Sequence, residues 1–157
     1  MTLPLLNLIR GHRKISIGIL FFLGLLSIVG VSQIRAHGIS AAIAQQVSAE
    51  PPGIVDLGSL GPPSWTRVCI FGPYTQSSYI DEKLGFKIGN SSLEMDDSIN
   101  LLVFVHEKAV VAITEHPRGA GDFAGKGLGC FQRSEAKFAP YRDKYNWVRL
   151  RAADANR

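Results

Sequence analysis

The stretch Ile99-Asn100-Leu101-Leu102-Val103-Phe104-Val105-His106-Glu107-Lys108-Ala109-Val110-Val111-Ala112-Ile113-Thr114-Glu115-His116-Pro117 decides the fold class. It holds two apolar, β-branched runs joined by a short polar tip, the pattern of a β-hairpin. A two-residue turn at Glu107-Lys108 places Asn100, Leu102 and Phe104 on one face with Val111, Ile113 and Glu115. The other face then carries Leu101, Val103, Val105, Val110, Ala112 and Thr114, and His116 pairs with Ile99. Glu107-Lys108 lacks the Gly or Asn that such a turn favours. Both faces are mostly apolar, so the hairpin belongs in the middle of a sheet with material above and below it. Pro117 ends the second strand, because proline donates nothing to the ladder.

Outward from the hairpin the signals are shorter. Trp65 to Phe71 is aromatic and β-branched and stops at Gly72-Pro73, which reads as a strand. Thr75 or Ser77 caps a helix running to Leu84, with Gly85 as its left-handed terminator. Arg118 to Leu128 is a glycine-rich loop. Cys130 to Arg133 and Tyr145 to Leu150 read as further strands. The expected class is α+β: a small antiparallel sheet of four or five strands with one short helix. This domain is expected over 64–151, after a flexible linker at 35–63 and before a disordered tail at 152–157. Within the linker, Ile39 to Val47 has helical character but few apolar side chains to bury.

Residues 1–34 have a different character. From Ile15 to Ile34 there are 20 consecutive residues without a charge, preceded by Arg10, Arg13 and Lys14. As a helix this run spans ~30 Å, a bilayer's hydrocarbon core. The basic start predicts a single-pass anchor with a cytoplasmic N-terminus and an extracytoplasmic C-terminal domain. The alternative is a signal peptide, cleaved to give a secreted or periplasmic protein, although its apolar part would be long. Gly30-Val31-Ser32 and Ala42-Ile43-Ala44 are the small-residue sites for such a cut.

The net charge of +4 does not indicate nucleic acid. From Glu50 onward there are 13 basic and 13 acidic residues, so the domain lacks the basic excess that such binding needs. That neutrality hides an asymmetry. Residues 50–125 carry 5 basic and 10 acidic groups, whereas 126–157 carry 8 basic and 3 acidic. Arg133, Arg149 and Arg151 mark a basic face suited to anionic lipid or to an acidic envelope protein.

Few motifs carry chemistry. Cys69 and Cys130, both in the exported part, are expected to form a disulfide. Gly119-Ala120-Gly121 lacks the third glycine of a dinucleotide loop, and Gly125-Lys126-Gly127 lacks P-loop spacing. His37, His106 and His116 lack metal-binding spacing. The reading therefore assigns no catalytic residue, metal or cofactor. Glu115, His116, Arg118 and Asp122 form a candidate binding rim where a core strand leaves the sheet. There Arg118 and Asp122 are expected to make a surface ion pair of little worth.

Trp65-Thr66-Arg67-Val68-Cys69, Pro73-Tyr74, Asn100 to Val105, Glu115 to Arg118, Gly121-Asp122-Phe123 and Gly129-Cys130 together resemble stretches of small exported bacterial proteins. The resemblance covers roughly residues 65–133. It implies a cell-envelope setting and carries over no catalytic residue. The expectation is a membrane-tethered extracytoplasmic binding domain; the alternative is a small secreted hydrolase or inhibitor. In cell fractionation the mature chain should sediment with membranes and resist high-salt extraction. A soluble product with a new N-terminus near Gln33 or Gln45 would instead establish cleavage.

Overall fold

A computed structural model describes residues 38–89 and 91–153. The uncharged run from Ile15 to Ile34 lies outside the described residues. Among those described, no helix is long and apolar enough to cross a membrane.

In chain order the elements are helix α1 (38–47), β1 (Val55–Asp56), α2 (Leu57–Leu60), β2 (Arg67–Phe71) and α3 (Ser77–Leu84). They continue with β3 (Ile99–His106), β4 (Ala109–Pro117), β5 (Gly129–Gln132), β6 (Lys137–Arg142) and β7 (Val148–Ala152). The class is α+β, but with two antiparallel sheets in place of the single expected one. Four strands run in the order β4-β3-β2-β5, and three in the order β1-β6-β7.

β3 is buried on both sides, as its two apolar faces require. Leu102 and Phe104 face a core shared with Phe138 and Leu150 of the second sheet and with Ile39 and Ile43 of α1. Leu101, Val103 and Val105 face a second cluster capped by Ile80 and Leu84 of α3. Gly85 ends α3 at φ 82°, with its N–H donating to Asp81 O at 2.9 Å. Neither expected cap acts at the N-terminus of α3. There the Glu94 carboxylate accepts from Ser77 N–H at 2.6 Å.

The hairpin turns at Glu107-Lys108, with Glu107 at φ 55°. Its register nevertheless departs from the expectation. Val105 pairs with Val110, but Phe104 pairs with Ala112, so Val111 is bulged out. One inserted residue moves every later side chain to the opposite face. Asn100 therefore opposes His116, and Ile99 opposes Pro117. Thr114 and His116 turn into the core, while Ile113 and Glu115 turn out.

β6 contains Pro140, which argues against a strand. β1 pairs only with Lys137 and Phe138, so no strand flanks Pro140 on that side. The bond from Ala153 N–H to Lys137 O, at 2.8 Å, sets the ladder's alternation. By that alternation Pro140, opposite Leu150, sits at a non-hydrogen-bonded position and costs no ladder bond.

Cys69 and Cys130 form a disulfide between β2 and β5. Their Cα atoms are 4.0 Å apart, because they face each other at a non-hydrogen-bonded position where strands approach most closely. Closing a loop across 61 residues stabilises the fold by about 4 kcal/mol in the chain-entropy model.

The expected linker at 35–63 requires correction over its described part. Ile39, Ile43, Val55 and Leu57 are all buried in the first core. Two isoleucines at helical spacing are enough to dock α1, because the surfaces of both sheets await them. Ile43→Ala should therefore cost about 3 kcal/mol in urea unfolding. A loss within about 0.5 kcal/mol, the value for a surface position, would return this segment to the status of a tether.

Candidate functional site

The loop between β4 and β5 is packed rather than flexible. Its 3-10 turns at Arg118–Ala120 and Gly125–Gly127 frame a buried Asp122-Phe123 pair. Gly121 adopts φ 129°, and a Cβ there would press on Val47 and Leu150. At Gly127 a Cβ would collide with the Leu150 carbonyl. Both glycines are therefore required by close approach of the loop to α1 and β7.

Asp122 joins the two sheets. Its N–H donates to Val148 O at 3.1 Å, and its carbonyl accepts from Leu150 N–H at 2.8 Å. Its buried carboxylate accepts at Oδ2 from Arg118 Nη2 at 2.9 Å and from Arg149 Nη1. Arg149 also donates through Nε to Asp143 Oδ2 at 2.9 Å. The Asp143 bond, and then the nearby charges of Asp122 and Asp143, push the Arg149 pKa up against the effect of burial. For Asp143, burial acts to raise the carboxyl pKa. Bonds from Arg149, Trp147 and Tyr145 outweigh it and bring the pKa below the usual range. The Arg118–Asp122 pair thus exists but is not the superficial contact expected, since the Asp122 side chain is only 1% exposed. Removing one partner of such a buried pair costs about 3–5 kcal/mol.

His116 lies beside this junction. Its Nδ1 meets Ser40 Oγ of α1 at 2.9 Å, and its ring packs edge-on against Phe123 with centroids 5.8 Å apart. Nε2 has no hydrogen-bond partner in good geometry among the described residues, although the Ala120 and Gly121 backbone and the Asp122 charge favour a proton nearby. Burial prevails and lowers the His116 pKa from 6.5 to about 4. Asn100 completes the set by accepting at Oδ1 from Phe123 N–H at 3.0 Å.

Of the expected rim, the structure brings together His116, Arg118 and Asp122 and leaves Glu115 on the opposite, exposed face. Three polar groups that the sequence reading omitted belong with them: Ser40, Asn100 and Asp143. The signal for Asn100 was present as a lone amide in an otherwise apolar strand. Ser40 and Asp143 gave no local signal. The Ser40–His116 contact does not amount to a nucleophile and its base, because the ring is enclosed and weakly basic and Asp122 is committed to two arginines. Among the described residues no cluster of three or more His, Cys, Asp or Glu is placed to hold a metal.

The expected basic face divides into three roles. Arg133 is structural: it lies over the Trp65 ring at 5.5 Å and donates through Nε and Nη2 to Gly58 O at 3.2 and 3.1 Å. Arg149 belongs to the Asp122 junction. Arg151 is exposed and lies over the Tyr141 ring at 5.2 Å. Lys126, Tyr141, Asp143, Arg149 and Arg151 line an open groove of about 550 Å³. Beside it the β6–β7 hairpin exposes Tyr145 and Trp147, and Lys144 lies 4.8 Å from the Tyr145 ring centre.

The depressed pKa of His116 has a defined sign. Between about pH 4 and 6.5 the unfolded chain binds a proton at this position that the folded chain refuses, so stability falls as pH falls through that window. Acidification from pH 7 to 5 should cost about 2 kcal/mol of unfolding free energy through this group. His116→Gln should flatten the profile over that range in urea titrations at each pH. An unchanged slope in the variant would show that the ring is not held neutral.

Comparison of the chain with protein-family models, with curated proteins and with solved structures finds no match.

Proposed function

We propose that this chain is a membrane-tethered extracytoplasmic binding domain whose β6–β7 hairpin engages an anionic lipid surface. The observation that carries the reading is the composition of the hairpin's exposed side. Tyr145 is 69% exposed and Trp147 50%. Lys144 and Arg151 lie against aromatic rings on the same hairpin. Tyrosine and tryptophan settle at the headgroup level of a bilayer, and each cation near an anionic surface adds ~1 kcal/mol of attraction.

The hairpin is held from behind. Asp143 accepts at Oδ1 from the N–H groups of Tyr145 and Trp147 at 2.9 and 3.0 Å, and at Oδ2 from Arg149. A fixed loop loses less conformational entropy on binding than a mobile one. The hydrolase alternative has less support, since the His116 ring beside Ser40 is buried and lacks a free carboxylate.

Trp147 supplies the test, because the other tryptophan, Trp65, is buried. The full chain would be placed in lipid nanodiscs of neutral phosphatidylcholine, or of the same lipid with phosphatidylglycerol added. At low salt, tryptophan emission should shift to the blue and acrylamide quenching should fall in the anionic discs only. Added salt should reverse both changes. Lys144→Glu with Arg151→Glu should abolish them. Arg149 is left intact, since a glutamate there would face buried Asp122 and disturb the fold. Identical emission and quenching in the two lipids would refute the reading.

A further inference from the structure

A second and separate hollow lies beside the disulfide, where α3 overhangs the outer strand of the four-stranded sheet. Its volume of about 460 Å³ lies within the range of small-molecule pockets. Phe71, Leu128 and the exposed Cys130 side of the disulfide give it apolar walls, and the Tyr79 ring lines it from α3. Arg67 and Lys83 are the charged groups among its lining residues, and no carboxylate joins them.

Both cations are accounted for in ways that leave them able to meet an anion. Arg67 donates through Nη2 to Leu84 O at 2.9 Å, which fixes a guanidinium that has five donors in all. Lys83 lies 5.0 Å from the Tyr79 ring centre and 3.7 Å from the Glu82 carboxylate. The Lys83–Glu82 pair is largely exposed and therefore weak, so a ligand anion competes with it readily. A hollow open on one side, with apolar walls, two cations and no carboxylate among its lining residues, is complementary to a molecule with an apolar body and one negative head. The floor also has a fixed shape, because the Cys69–Cys130 bond ties β5 to β2 at this point.

We infer that this hollow binds a small amphipathic organic acid, its apolar body against Phe71, Leu128 and the disulfide and its carboxylate against Arg67 and Lys83. The site is distinct from the β6–β7 hairpin and does not depend on the lipid reading.

The probe pair is 2-naphthoate and its uncharged relative 2-naphthol, titrated at neutral pH into the full chain in maltoside detergent by calorimetry, with protein-free micelles as the blank. Naphthoate should bind saturably at one site per chain. Lys83→Glu, an exposed change, should weaken naphthoate by about tenfold, and Lys83→Arg should restore it. Naphthol affinity should be the same in all three proteins. Absence of saturable naphthoate heat above the blank would overturn the inference. So would a naphthoate affinity that Lys83→Glu leaves unchanged.

Discussion

The buried carboxylate of Asp122 is the contact on which the relation of the two sheets depends. Its backbone bonds to Val148 and Leu150 extend β7 sideways, and its side chain gathers Arg118 from the loop and Arg149 from the strand. A lone carboxylate in this position would be prohibitively desolvated; two guanidinium partners make it tolerable. The arrangement then propagates. Arg149 reaches on to Asp143, and Asp143 fixes the β6–β7 turn through the Tyr145 and Trp147 amides. The most exposed aromatic surface of the described domain is thus positioned by one of its most buried charges.

The bulge at Val111 determines what that junction is packed against. Without it, His116 would project from the sheet's other face. With it, the imidazole enters the core beside Phe123 and meets Ser40 of α1. Phe123 in turn packs edge-on against Phe138, with ring centres 5.0 Å apart, and takes the Asn100 amide oxygen at its N–H. The result is a polar group from each of β3, β4, the β4–β5 loop and α1 at one end of an apolar core. Such a group specifies a unique arrangement only when its members are satisfied. Asn100 Nδ2 and His116 Nε2 have no hydrogen-bond partner in good geometry among the described residues.

The two surfaces proposed for binding rest on different physics. The hairpin presents rings and cations outward, suited to a broad, wet, anionic surface whose attraction salt would screen. The hollow beside the disulfide is smaller and walled by apolar groups, so its selectivity would arise from fit and from one charge. The disulfide serves the second directly and the first hardly at all, since it lies in the four-stranded sheet and the hairpin lies in the other.

Sequence by itself determined the elements whose information is local. The nearly continuous apolar run of β3, the Gly85 stop of α3, the Gly72-Pro73 end of β2 and the two-residue turn at Glu107-Lys108 are each written within a few neighbouring positions. The pairing of Cys69 with Cys130 was legible too, because two cysteines allow a single intramolecular bond. Tertiary structure alone decided the rest. α1 looked too polar to dock, and two isoleucines sufficed because a core assembled from distant strands was there to receive them. β6 was hidden by Pro140, which is harmless because β1 stops short of it and because it faces β7 at a non-hydrogen-bonded position. Val111 carries no mark of a bulge, yet its displacement reversed the side on which His116 lies. Arg133, Arg149 and Arg151 are alike in sequence, but one holds a loop, one is locked between two aspartates and one faces solvent. In each case the deciding partner is far away along the chain, where neither periodicity nor composition registers it.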